Sequence, residues 1–150
     1  MPSDAITGRL AAVFERAPGL AAALRNADED TPRAIIAKAR GALERMTAPE
    51  RVAVLNAHPR IGADPASLSM HSRREQGDAA DGATLQVLDE LNDAYEERFG
   101  FRFVVFVAGR AKQEIVPILR ARLANTRDAE LKAGIEEFLA ISLDRLERKR

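Results

Sequence analysis

The chain has no cysteine in its 150 residues, and aromatic residues make up only 5% of it. Without cysteine there is no disulfide framework, no cysteine-bound zinc and no thiol nucleophile. There is also no excess of one charge: 23 basic residues face 23 acidic ones. The overall charge therefore gives no support for a nucleic-acid or anionic-membrane partner. A short basic end, Arg145, Arg148, Lys149 and Arg150, fits a solvated helix terminus favoured by the helix dipole. No apolar run reaches transmembrane length, and the opening MPSDAITGRL lacks the apolar centre of a signal peptide. The chain closes on RKR rather than a peroxisomal SKL. The expectation is a cytoplasmic protein with no membrane and no nucleic-acid partner. Few aromatics and much alanine favour helix over sheet. A single domain spanning 1–150 is expected, long enough to bury a core without disulfides or metals.

The pattern of apolar residues predicts a series of helices. Ser3 or Asp4 caps a first helix to about Ala17, with Ile6, Leu10, Val13 and Phe14 on one face. Pro18-Gly19 breaks it, and a short second helix, about 19–26, carries Leu20, Ala23 and Leu24. Thr31-Pro32 signals another start, followed by the stripe Ile35, Ile36, Ala39 and Leu43. Thr47 and Pro49 open a further helix through Val52, Val54 and Leu55. A long helix is predicted from about Asp78 or Asp81 to Phe99, burying Leu85, Leu88, Leu91 and Tyr95. Residues 111–125 read as helix, with Pro117 at its start or kinking it. The last helix, about 128–148, has Asp128 at the cap, Glu130 in the first turn, and the face Leu131, Ile135, Phe138, Leu139, Ser142 and Leu146. Arg145 lies at the edge of that stripe, near Phe138 on the helical wheel.

One segment departs from this pattern. FGFRFVVFVAG, residues 99–109, is strand-like in its Phe and Val content. No other segment offers it a partner, so an isolated extended segment packed on helices is predicted. The fold class is then all-α, a single-domain multi-helix bundle with one extended segment near 101–108.

Both histidines fall within AHPRIGADPASLSMHSRREQ, residues 57–76. His58 follows an apolar helix end, and Pro59 biases it towards an extended conformation. It is either a helix-end histidine satisfied by a carbonyl or a functional side chain at a helix–loop junction. His71 and Glu75 are four apart and share a face if helical. With His58 they would make a metal site of two histidines and a carboxylate, but HExxH is absent and Arg73 and Arg74 oppose a cation. No metal is expected. Ser72–Glu75 has the capping-box spacing, and exposed donors at such a helix start also favour an anionic ligand. Arg145 either snorkels at the rim of the core or grips a carboxylate in a pocket; periodicity does not decide between these.

AHPRIG, then SRREQ, then LNDAYEERFGFRFVVFVAGR, then RLANTRDAELKAGIEEFLAISLDRL together resemble the 2-oxo-4-hydroxy-4-carboxy-5-ureidoimidazoline (OHCU) decarboxylases of urate degradation. The resemblance covers about residues 50–146. It implies an all-helical homodimer that needs no cofactor and converts OHCU to (S)-allantoin. It implies His58 as the acid/base residue, Glu75 as its acidic partner and Arg145 as a substrate-gripping charge. Pro59, Ser72, Arg73, Arg74, Glu75, Gln76 and the segment Phe103, Val104, Val105, Phe106 and Val107 would line the pocket. Gln76 and the backbone of Phe103–Val107 would meet the substrate's ureido or ring amides. Many members have proline within FGF-P-F where this chain has Arg102. Alternation with Phe101 and Phe103 predicts that Arg102 points outward. Two alternatives are a decarboxylase of a related ureido or imidazole acid and a catalytically silent helical dimerisation or binding module. The joint presence of His58, Glu75 and Gln76 argues against the silent module.

Overall fold

A computed structural model describes residues 20, 24, 31–61 and 82–148. Within these residues there are five helices and no strand. They are α1 (Pro32–Arg45), α2 (Ala48–Asn56), α3 (Gly82–Phe99), α4 (Lys112–Arg122) and α5 (Arg127–Arg148). The first expected helix, with Ile6, Leu10, Val13 and Phe14, lies outside the described residues. Of the second, only Leu20 and Leu24 are described. Both are buried, and Leu24 N donates to Leu20 O at 3.0 Å, one helical turn.

Local chemistry accounts for the helix starts. Thr31 caps α1, its Oγ accepting from Ala34 N at 3.2 Å, with Pro32 in the first turn. Thr47 opens α2 with a full capping box: Glu50 N donates to the Thr47 hydroxyl, and Thr47 N to the Glu50 carboxylate. The Thr47 N–H, and then the Thr47 hydroxyl, also hold the exposed Glu50 carboxyl below its ordinary pKa. In α4 the starting residue is Ala111, which has no side-chain acceptor. Glu114 makes its half of the box alone, accepting from Ala111 N at 2.8 Å. Pro117 lies inside α4 and does not start it. For α5 the cap is Thr126, whose hydroxyl accepts from Ala129 N at 3.2 Å. Asp128 is in the first turn, a correction to its predicted role as cap.

Helix α5 is the hub, contacting α1, α2 and α3, while α3 also packs on α4. Its buried face is Leu131, Ile135, Phe138, Leu139, Ser142 and Leu146, as the stripe predicts, together with Glu130, Gly134, Ile141 and Arg145. Gly134 marks the closest approach: a Cβ there would lie 2.8 Å from Leu55 Cδ1. Because Leu55 is itself fully buried, it has little room to yield. This contact sets the height at which the end of α2 meets α5, and His58 follows three residues later. On α3, Leu88 and Tyr95 are buried as expected, but Leu85 and Leu91 are only half-buried and Asn92 is fully enclosed.

Three side chains converge on a buried carboxylate between α3, α4 and α5. Glu130 accepts from Tyr95 Oη and Arg122 Nε, each at 2.7 Å, and from Asn125 Nδ2 at 2.8 Å. Burial, then the Glu130 bond, push the Tyr95 phenol above its ordinary pKa and keep it a donor. Arg122 continues outward, with Nη1 donating to Val104 O at 2.8 Å and the guanidinium 4.6 Å from the Phe103 ring centroid. Helix α3 ends at Gly100, whose φ of +78° is the left-handed geometry of a C-terminal stop. From there the chain runs along 102–107 outside any helix or strand, with no partner strand among the described residues.

Candidate active site

The end of α2 delivers His58 into the protein interior. Its N–H donates to Leu55 O at 3.1 Å, continuing the last turn. The residue is 6% exposed, and its imidazole meets the Phe138 ring edge-to-face, with centroids 5.2 Å apart and planes at 89°. Phe138 thus gives the imidazole a wall on α5. Arg145 stands seven residues further along that helix, two turns on or about 10 Å, on the same face. It is 1% exposed, so snorkelling at the rim is ruled out. A guanidinium enclosed this fully is expensive unless it is paired, and Arg145 does have an interaction partner.

The segment after His58 is tied to α3. Arg60 Nε donates to Glu96 at 2.8 Å, Nη2 to Asp93 at 2.7 Å and Nη1 to Asp89 at 3.1 Å. Its hydrogen bond to Glu96 raises the guanidinium pKa further above its ordinary value. The buried Asn92 holds Ile61 O at 3.1 Å while bonding back to Leu88 O at 2.8 Å. Together these bonds fix where the chain leaves His58 and Pro59.

The segment 102–107 is tied to the end of α2 through Arg102 and to α5 through Glu137. Val104 O is taken by Arg122, Phe106 N–H by Glu137 Oε1 at 3.2 Å, and Phe106 O and Val107 O by Arg110. The N–H and C=O of both Phe103 and Val105 have no hydrogen-bond partner among the described residues. Successive residues of extended chain turn their polar groups to opposite edges. The polar groups of Phe103 and Val105 are thus bare, while Val104 O and both polar groups of Phe106 are taken by side chains. Buried peptide groups are rarely left so, and Phe103 and Val105 are both buried.

Comparison with known proteins identifies the scaffold. The family model described as OHCU decarboxylase matches residues 1–147. This chain belongs to the OHCU decarboxylase family. It is 32% identical, over 97% of its length, to the uric acid degradation bifunctional protein of Bacillus subtilis, covering 30% of that protein. It thus spans less than a third of the bifunctional relatives it matches. It is 23% identical to the 2-oxo-4-hydroxy-4-carboxy-5-ureidoimidazoline decarboxylase of Haloferax volcanii, over 97% of this chain and 89% of that protein. A crystal structure of OHCU decarboxylase in the presence of (S)-allantoin has the same fold. The TM-score is 0.75 at 24% identity, covering 95% of this chain and 97% of the other.

Within that family fold, His58, Arg145 and the 103–107 segment have the positions just described, and Pro59 is half-buried beside His58. Ser72, Arg73, Arg74, Glu75 and Gln76 lie outside the described residues, as does His71. No cluster of three His, Cys, Asp or Glu suited to a metal occurs among the described residues, and no described helix is long and apolar enough to cross a membrane. Arg102 does not point simply outward. It is half-buried and reaches back to the end of α2, with Nη1 2.6 Å from His58 O and 3.2 Å from Asn56 O. Phe138, which periodicity presents as ordinary core, is the platform for His58. Glu137, on the same turn, carries no sequence signal for its bond to the extended segment.

Proposed function

We propose that this protein decarboxylates OHCU to (S)-allantoin, with His58, Glu75 and Arg145 as its catalytic groups. The observation that carries the proposal is a buried histidine and a buried arginine along one face of α5 in an OHCU decarboxylase fold. The substrate's name gives its chemistry: a hydroxyl and a carboxyl share one ring carbon, and a ureido group sits on the next. When the C–C bond to the carboxylate breaks, carbon dioxide leaves and the bonding pair passes into the conjugated ring. The hydroxyl loses its proton as its carbon becomes a carbonyl, and the ring nitrogen that receives the pair takes up a proton. One proton is added at the ureido-bearing carbon, and the face it reaches sets the hand of the product.

Three tasks follow for the protein. Arg145 grips the carboxylate and turns the breaking bond towards the ring π system. His58, oriented by Glu75, takes the hydroxyl proton, a role suited to a side chain that titrates near neutrality. Ring and ureido amides need donors and acceptors fixed in place, and the bare polar groups of Phe103 and Val105 supply both. Gln76 serves the ureido group, and Pro59, Ser72, Arg73 and Arg74 belong to the proposed lining. The organic ring supplies its own electron sink, so the proposed step draws on no cofactor.

The test generates OHCU in situ from urate with urate oxidase and 5-hydroxyisourate hydrolase. Added protein should accelerate OHCU loss. An unchanged rate from pH 6 to 9 would reject the proposal. A homodimer in the cytoplasm belongs to the same proposal, and sedimentation at the mass of one chain would reject the dimer.

A further inference from the structure

We infer that Arg102 is a positioning residue for His58, acting through the main chain; the inference rests on the proposed decarboxylase role of His58. The peptide between His58 and Pro59 has a carbonyl but no N–H, because proline follows. It also lies beyond the last turn of α2, where carbonyls lack helical partners. Its orientation therefore depends on what the carbonyl accepts, and Arg102 Nη1 donates to it at 2.6 Å. The same nitrogen donates to Asn56 O at 3.2 Å, a second carbonyl of that helix end. Arg102 is anchored in return, its own N–H donating to Asn56 Oδ1 at 2.8 Å. Its Nε lies 3.8 Å from Glu96 Oε2, the carboxylate that also binds Arg60 two residues beyond His58.

These bonds couple the end of α2 to the 102–107 segment. Arg102 sits between Phe101 and Phe103, so the segment with the bare backbone groups also clamps the histidine. When the clamp is made, the imidazole is held edge-on to Phe138. When it is broken, the 58–59 peptide can rock and carry the ring off line. A displacement of about 1 Å from a residue remote from the chemistry can cost on the order of 100-fold in rate. Because a single nitrogen makes both carbonyl bonds, an ammonium group can replace it in part, one bond shorter.

The experiment compares wild type, Arg102→Ala and Arg102→Lys in steady-state turnover of OHCU, alongside the imidazole NMR signals of His58, assigned with His58→Asn. Arg102→Ala should lower kcat by about 10- to 100-fold with KM changed less than about threefold, and should move or broaden the His58 signals. Arg102→Lys should recover most of the missing kcat. A kcat within twofold of wild type in Arg102→Ala would overturn the inference, as would a fall explained by the unfolded fraction alone. If wild type itself does not turn over OHCU, the proposed function fails. Unchanged His58 signals in Arg102→Ala would then still overturn the positioning role, and displaced ones would uphold it.

Discussion

His58→Asn should lower kcat for OHCU by about 100- to 10,000-fold, the range expected when a positioned acid/base group is removed. That corresponds to about 3–5 kcal/mol of barrier. The structural cost is smaller. The edge-to-face pair with Phe138 that is lost is worth about 0.5–1.5 kcal/mol, while the His58 N–H and C=O bonds belong to the main chain and survive. The variant should therefore remain folded, with its thermal midpoint lowered by only a few degrees. This separation distinguishes the functional from the helix-end reading of His58. A histidine that merely finishes α2 would show the small stability loss and keep its turnover. Steady-state kinetics beside a thermal melt decide the point, and kcat within threefold of wild type would remove His58 from the mechanism.

The largest stability effect is expected at Glu130→Ala. Glu130 is fully enclosed and accepts from Tyr95, Arg122 and Asn125. Its removal leaves the Arg122 guanidinium, whose side chain is 12% exposed, without its carboxylate, and the Tyr95 hydroxyl without its acceptor. Breaking one partner of a buried pair costs about 3–5 kcal/mol, a large part of the about 5–15 kcal/mol that holds such a domain together. In a chain of this length the thermal midpoint should fall on the order of 10 °C. Arg122 also holds Val104 O, so the extended segment should loosen and OHCU turnover should fall in the fraction that remains folded. Glu130→Gln keeps an acceptor for Tyr95 and should lose less. A Glu130→Ala midpoint within 2 °C of wild type would mean that this cluster is not a keystone.

The sequence exposes what depends on neighbours along the chain. Thr31 and Thr47 are readable as caps because their partners lie three residues on. The extended segment is readable because its Phe and Val content fits no helix and no second strand is available. Asp128 shows the limit: Thr126 is equally suited to cap α5, and apolar periodicity does not choose between residues two apart. Asn92 escapes a pattern-based reading because it stands where a helical stripe calls for an apolar side chain, yet it is buried by bonding two carbonyls. Glu130 reads as a dipole-favouring acid in a first turn. Its actual role requires the turn at 123–126 to bring Arg122 and Asn125 back over it. Those two residues are the ends of the RLAN motif, so the family pattern holds the information without its meaning. Arg102 is the least readable. Alternation places its backbone correctly, but its long side chain curves to carbonyls 44 and 46 residues away in sequence. The proposed site residues His58, Arg145 and 103–107 stand out through the family pattern, whereas Ser72–Gln76 lie outside the described residues.

The most direct measurement is the circular dichroism of allantoin as it forms from OHCU at neutral pH, with and without this protein. An OHCU decarboxylase that protonates one face should bring the (S)-allantoin signal up faster than the spontaneous, racemic reaction, and the His58→Asn protein should abolish the gain. A signal that rises no faster with wild type than without it, or that rises equally with His58→Asn, would contradict the assignment of decarboxylation to this pocket.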